Sequence, residues 1–211
     1  GTTILGVDNR AGVTLILAAV EELMARNLPH KSLEIVFTVA EELGMLGAME
    51  LDFSQLKSRQ GFVFDCTATP GGYVASTPTA YDFKINFFGR SAHSAVAPEK
   101  GINALSMASH VISGFPVGRV NEHSVANFGT IHGGTADNVV PDQVTLTGEF
   151  RSFREQEIVA LRERLLSLCR SAEAQWGGRC EPFFTLSFQG FAFQEDSPLV
   201  LYMVMNPDLE T

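Results

Sequence analysis

Residues 33–48 read LEIVFTVAEELGMLGA, and the fold class turns on them. The first eight, LEIVFTVA, are almost continuously apolar and β-branched, the pattern of a strand covered on both faces as in a parallel sheet. The run ends at two adjacent carboxylates, Glu41 and Glu42, followed by Gly44 and Gly47. Adjacent side chains on a strand point to opposite faces, so two neighbouring acids serve one site only where the chain leaves the sheet. Such a pair suggests a metal or acid/base site. It also suits the first turn of a helix over residues 43–51, where the helix dipole favours negative charge. On these residues alone, the helix turn is the preferred reading.

Working outward, residues 3–7 form a short apolar run ending at Asp8. Val13, Ile16, Leu17, Val20, Leu23 and Met24 then recur at the spacing of one helix face, which Asn27 and Pro29 close. Residues 61–66 supply another short strand, with Asp65 near its end. Strand, helix, strand, helix, strand implies an α/β layer with a mainly parallel sheet and right-handed crossovers. In such sheets ligands bind beyond the carboxyl ends of the strands, where Asp8, Glu41, Glu42 and Asp65 all fall. Asp8 or Asn9 could merely cap the following helix, and Asp65 could be an ordinary loop acid. Several crowded carboxylates repel one another unless a cation neutralises them, so their coincidence on one sheet edge points to a metal.

Residues 70–78, PGGYVASTP, are rich in turn formers and mark a boundary. Beyond it Tyr81, Phe83, Ile85 and Phe87 alternate with Asp82, Lys84 and Asn86, a half-buried antiparallel strand. A helix follows over residues 102–112, then a strand over 126–131 and a turn over 132–138. Val144, Leu146 and Phe150 alternate again. Ile158, Leu161, Leu165, Leu168 and Ala172 mark an amphipathic helix, and Phe184, Leu186 and Phe188 a last strand. The order strand, helix, strand, strand, helix, strand is the ferredoxin-like split unit. After Gly190, Ser197 and Pro198 predict a new helix start.

The 211 residues, 45% hydrophobic and 18% charged, suffice for one large or two small domains. A net charge of −9 disfavours nucleic acid and anionic membrane as partners. No apolar run approaches the ~20 residues that span a bilayer, and no basic, then apolar, leader opens the chain. Three cysteines, Cys66, Cys169 and Cys180, without a C-x-x-C pair argue against a disulfide scaffold and favour a reducing, cytoplasmic setting, with a single Cys169–Cys180 bridge left open.

Five motifs stand in order: GVDNRAG at 6–12, TVAEELGMLGA at 38–48, FDCT at 64–67, GRSAHSAVAPEKGINAL at 89–105, and GGTADNVVPD at 133–142 followed by GEFRS. Together they resemble the M20 family of dinuclear zinc peptidases, in its peptidase T-like branch. The resemblance implies part of a catalytic metal-binding domain over residues 1–77, an inserted lid and dimerisation domain over 78–190, and a return to the catalytic domain over 191–211. It implies two zinc ions, with Asp8 bridging them, Glu42 and Asp65 each ligating one, and Glu41 as general base. It makes His93 an oxyanion donor reaching the active site of a partner subunit, against the alternative of a solvated loop histidine. Asn138 and Arg151 would contact the carbonyl or carboxylate end of a short peptide substrate. Arg151 could equally pair with Glu149 on its own strand.

The resemblance further implies a homodimer joined through the lid. An upstream His-x-Asp and a downstream histidine ligand, which the family site needs, do not occur in this sequence, so the 211 residues are expected to be an internal fragment with little activity alone. Asn9 and Arg10 stand where the branch often has Asp and Lys, a difference bearing on substrate selection. Two alternatives accompany the peptidase reading: an amidohydrolase acting on N-acyl amino acids, and a non-catalytic dimerisation and ligand-binding module.

Overall fold

A computed structural model describes residues 7–65, 72–194 and 196–197. The chain divides into two compact units, Gly1–Val74 and Ala75–Leu209.

The first unit opens with helix α1 (Arg10–Ala25), capped by the Asn9 side chain, which accepts from the Gly12 amide at 2.9 Å. Its predicted apolar face is only half-covered: Ile16, Val20 and Leu23 are partly buried, while Leu17 and Met24 are exposed. A 3-10 turn, Glu41–Leu43, and a one-turn helix α2 (Leu46–Met49) follow. The continuous helix expected over residues 43–51 is interrupted because Gly44 and Met45 both adopt left-handed backbone, at φ 89° and 59°.

Residues 33–40 and 61–65, read above as buried parallel strands, form no strand. All strand pairing among the described residues is antiparallel and lies in the second unit. An apolar, β-branched run becomes a strand only where another strand offers its edge. No described segment of this unit does so, and Leu33, Ile35, Val36, Phe37 and Val39 stay exposed. The strand expected over residues 3–7 and the helix expected after Ser197 lie outside the described residues, apart from Val7 and Ser197 themselves.

The second unit contains β1 (Ser76–Thr77), β2 (Thr79–Phe88), α3 (Ala104–Gly114), β3 (Gly118–Arg119), β4 (Ser124–Gly133), β5 (Gln143–Ser152), α4 (Glu155–Trp176), β6 (Arg179–Phe188) and β7 (Phe191–Ala192). Five strands form one antiparallel sheet in the order β3-β4-β5-β2-β6. Its four long strands and two helices make the ferredoxin-like arrangement. β1 and β7 pair antiparallel, Ser76 with Ala192 and Thr77 with Phe191, so the two connections of this unit run side by side.

The alternation read from the sequence sets the sheet's faces. Phe83, Ile85 and Phe87 of β2 and Val144, Leu146 and Phe150 of β5 are buried against Met107 and Val111 of α3 and Leu161, Leu165 and Ala172 of α4. Gly148 stands opposite Phe83 in register, and a Cβ there would lie 2.4 Å from the Phe83 ring, so only glycine leaves room for it. Cys169 and Cys180 are both buried and free, which settles the bridge left open above.

The N-terminus of α4 is tied to the sheet by a polar network. Glu157 accepts from the Ser124 hydroxyl and from the Asn121 amide, and the Ser124 hydroxyl lies 2.9 Å from that of buried Ser152. Hydrogen bonds from Ser124 first and Asn121 second hold the Glu157 carboxyl below its ordinary value of 4.5. A carboxyl whose pKa falls on folding contributes stability that is complete above the unfolded value and is lost as pH drops through the folded one. Denaturant melts of wild type and Glu157→Gln should therefore differ at pH 7 and converge as pH falls below about 4.5. A gap that persists unchanged at pH 3 would show that the carboxylate is not the stabilising group.

Candidate active site

In the first unit, the segments that carry two of the four predicted acids are tied through the residues next to them. Asn9, next to Asp8, donates from its side chain to the carbonyl of Phe64, next to Asp65, at 2.5 Å. Gly12 permits this approach, since a Cβ there would lie 2.3 Å from that same carbonyl oxygen. Asn9 thus caps α1 and fastens the 64–65 segment to its start with a single side chain. The peptide between Asp8 and Asn9 is cis.

Glu41 and Glu42 occupy the 3-10 turn, both exposed. The turn closes on itself: the Glu41 carbonyl accepts from Gly44 at 3.0 Å and Met45 at 2.7 Å, and that of Ala40 from Leu46 at 3.2 Å. Ala40 and Met45, on either side, hold left-handed backbone at φ 57° and 59°. Non-glycine residues there cost about 1–2 kcal/mol each, and such outliers collect at functional sites. The turn is therefore not the continuous helix start expected over residues 43–51, and it is flanked by strained backbone on both sides.

Among the described residues, no three His, Cys, Asp or Glu side chains converge into a group able to hold a metal ion. The donor chemistry of Asp8, Glu42 and Asp65 suits a cation, but their arrangement does not complete a zinc cage, whose ligands would have to lie at about 2.0–2.2 Å.

In the second unit the structure does unite two predicted residues from separate motifs. The loop after β2 and the loop before β5 pair as a short antiparallel bridge, His93 with Val139. Ser94 donates to the carbonyl of Asn138 at 2.9 Å, and Val140 to that of Ala92 at 2.9 Å. The backbone of Asn138 is therefore one position along this bridge from the residue opposite His93. The Ala95 amide donates to Nδ1 of His93 at 3.2 Å, which places the hydrogen of the neutral ring on Nε2 and leaves that exposed N–H as a donor. A surface concavity of about 510 Å³, lined by Ser94, Asn103, Gly134, Thr135, Asp137 and Pro141 among others, adjoins them.

Arg151 lies elsewhere. It is near the far end of β5, eight residues beyond Gln143, so roughly 25 Å separates it from the His93 end at the rise of an extended strand. Its Nη2 donates to Glu149 at 2.7 Å, and its Nε lies 3.2 Å from both carboxylate oxygens. The same-strand ion pair, left as an alternative above, is formed. Phe188 faces the guanidinium at 5.6 Å. The pair was legible in the sequence because residues two apart on a strand share a face.

Residues 77–177, within the split sheet-and-helix unit, match the peptidase dimerisation domain family. Residues 5–82 match the M42 glutamyl aminopeptidase family. The chain is 36% identical over 200 residues to the uncharacterised protein YqjE of Bacillus subtilis, covering 95% of this chain and 54% of that protein. It is 34% identical to peptidase T of Haemophilus influenzae over 74% of this chain and 37% of that one. Among solved structures, a tripeptidase from Staphylococcus aureus superposes with a TM-score of 0.92 at 31% identity, over 98% of this chain and 55% of that one. The aminopeptidase PepT of Bacillus cereus does so with a TM-score of 0.83 at 32% identity, over 94% and 53%. The chain belongs to the M20 peptidase family, in its peptidase T-like branch. It spans about half or less of the length of these relatives.

Proposed function

We propose that this chain is part of a peptidase that hydrolyses short peptides. The observation that carries the reading is the likeness to the S. aureus tripeptidase over 98% of the chain. The first unit, with residues 191–211, belongs to the catalytic domain, and residues 78–190 form the lid. Zinc is the metal, with Asp8, Glu42 and Asp65 among its ligands.

Glu41 takes a proton from the attacking water and returns it to the leaving amine, a role open to an exposed carboxylate on a rigid turn. His93 offers its Nε2–H to the developing oxyanion and Asn138 its amide to the substrate carbonyl. Arg151 binds the substrate carboxylate, for which its planar fork is suited.

Within one copy, Arg151 and the His93–Asn138 pair stand at opposite ends of the sheet. A homodimer joined through the lid gives His93 a second site to serve. Among the described residues no helix is long and apolar enough to cross a membrane, and a cytoplasmic enzyme is the reading adopted. Because among the described residues the acids do not close a metal group, the 211 residues alone are expected to show little turnover.

The test uses the full-length protein on a panel of tripeptides and N-acyl amino acids, with and without a chelator. Tripeptide hydrolysis that stops on chelation and returns with zinc supports the reading. Preference for N-acyl amino acids would move the protein to the amidohydrolases. No turnover of either class, with a dimer in sedimentation, would make it a binding module. Turnover indifferent to chelation would remove the metal.

A further inference from the structure

We infer that Glu149 is a positioning residue for Arg151, setting the guanidinium so that one edge stays open to a substrate carboxylate. The inference rests on the peptidase reading above and concerns how its carboxylate subsite is built.

A guanidinium has five N–H donors in one plane and can meet a carboxylate through either of two edges, Nε with one Nη or the two Nη nitrogens together. Glu149 takes the first of these, with Nη2 to Oε2 at 2.7 Å and Nε to both oxygens at 3.2 Å. Nη1 has no hydrogen-bond partner among the described residues. The guanidinium carbon lies over the Phe188 ring, 5.6 Å from its centroid. Glu149 is itself placed by β5, where it stands between Asp82 of β2 and Asn127 of β4 in register. One edge is therefore held, an aromatic ring lies close by, and the outer edge has no partner among the described residues.

Two effects of Glu149 oppose each other. Holding the guanidinium removes the ordering cost that a free arginine would meet on binding. The carboxylate also repels an incoming anion. Both side chains of the pair are more than a third exposed, so water screens the repulsion. A flexible arginine that must be immobilised on binding costs about 3- to 10-fold in affinity. Ordering is the larger effect, and Glu149 assists binding.

The test compares Glu149→Ala, Glu149→Gln and Arg151→Ala in the full-length protein, on one tripeptide with a free C-terminal carboxylate and on its C-terminal amide. Glu149→Ala is expected to raise KM about 3- to 10-fold for the free acid, to leave kcat unchanged and to leave the amide unaffected. Glu149→Gln keeps an acceptor for the held edge without the charge, so its KM should stay at or below that of wild type. Arg151→Ala should raise KM for the free acid more than either.

A fall in KM for Glu149→Ala would overturn the inference and make Glu149 a competitor for the guanidinium. Equal loss on acid and amide would overturn it too, as a merely structural effect. If Arg151→Ala discriminates acid from amide and Glu149→Ala does nothing, the subsite stands and the positioning role falls. If Arg151→Ala does not discriminate, the reading of Arg151 itself fails, and the inference with it.

Discussion

Glu41→Gln in the full-length protein is expected to lower kcat on a tripeptide by at least about 100-fold, the scale of a lost general base, with metal content unchanged. The structure says why the substitution is a clean one. Glu41 is exposed at the start of a closed turn whose backbone hydrogen bonds run from Gly44 and Met45 to its own carbonyl, so its side chain carries no part of the local fold. Glutamine keeps the shape and the hydrogen-bonding oxygen but cannot accept a proton at neutral pH. Glu42→Gln supplies the contrast, because a ligand lost to an amide should reduce bound zinc as well as rate. Measured side by side by metal analysis and steady-state kinetics, the pair separates base from ligand. Metal loss in Glu41→Gln, or full activity with full metal, would sink the division of roles between these two neighbours.

The second unit was legible in the sequence, and the first was legible only in part, for a physical reason. In an antiparallel sheet with helices on one face, burial alternates along each strand, and the alternation is local. Phe83, Ile85 and Phe87 announce their face without reference to any partner, and the structure buries all three. A parallel strand carries no such signature. The run over residues 33–40 is apolar on both sides, and whether it pairs depends on distant segments that its own residues do not specify.

The candidate site divides in the same way. His93 and Asn138 were singled out by motif alone, yet topology could have joined them: one follows β2, the other precedes β5, and those strands are antiparallel neighbours. The tie between Asp8 and Asp65 could not have been read, because it runs through the Asn9 side chain and a backbone carbonyl 55 residues away. For Arg151, both readings were chemically sound, and strand geometry formed the ion pair without thereby deciding the function.

Phe150→Ala is expected to destabilise the second unit by about 3–5 kcal/mol, the usual cost of emptying a buried aromatic site. Phe150 is fully buried, with ring centroids 5.9 Å from Tyr81, 6.1 Å from Phe83 and 6.3 Å from Phe184. It thus joins β5, the middle strand, to β2 beside it and to β6 beyond. Truncation removes the transfer energy of the ring and also leaves a space that β-strand backbone, pinned by its ladder, cannot collapse to fill.

Phe153, three residues on and 56% exposed, provides the control, since its truncation should stay within about 0.5 kcal/mol. Guanidinium melts followed by the single tryptophan, Trp176 at the end of α4, report on this unit directly. The consequence reaches the proposed chemistry, because Arg151 is the next residue on the same strand. A Phe150→Ala protein that still folds at low temperature should therefore lose discrimination between a C-terminal acid and its amide before it loses turnover. A cost below about 1 kcal/mol would mean that the aromatic cluster is not what holds β5 in place.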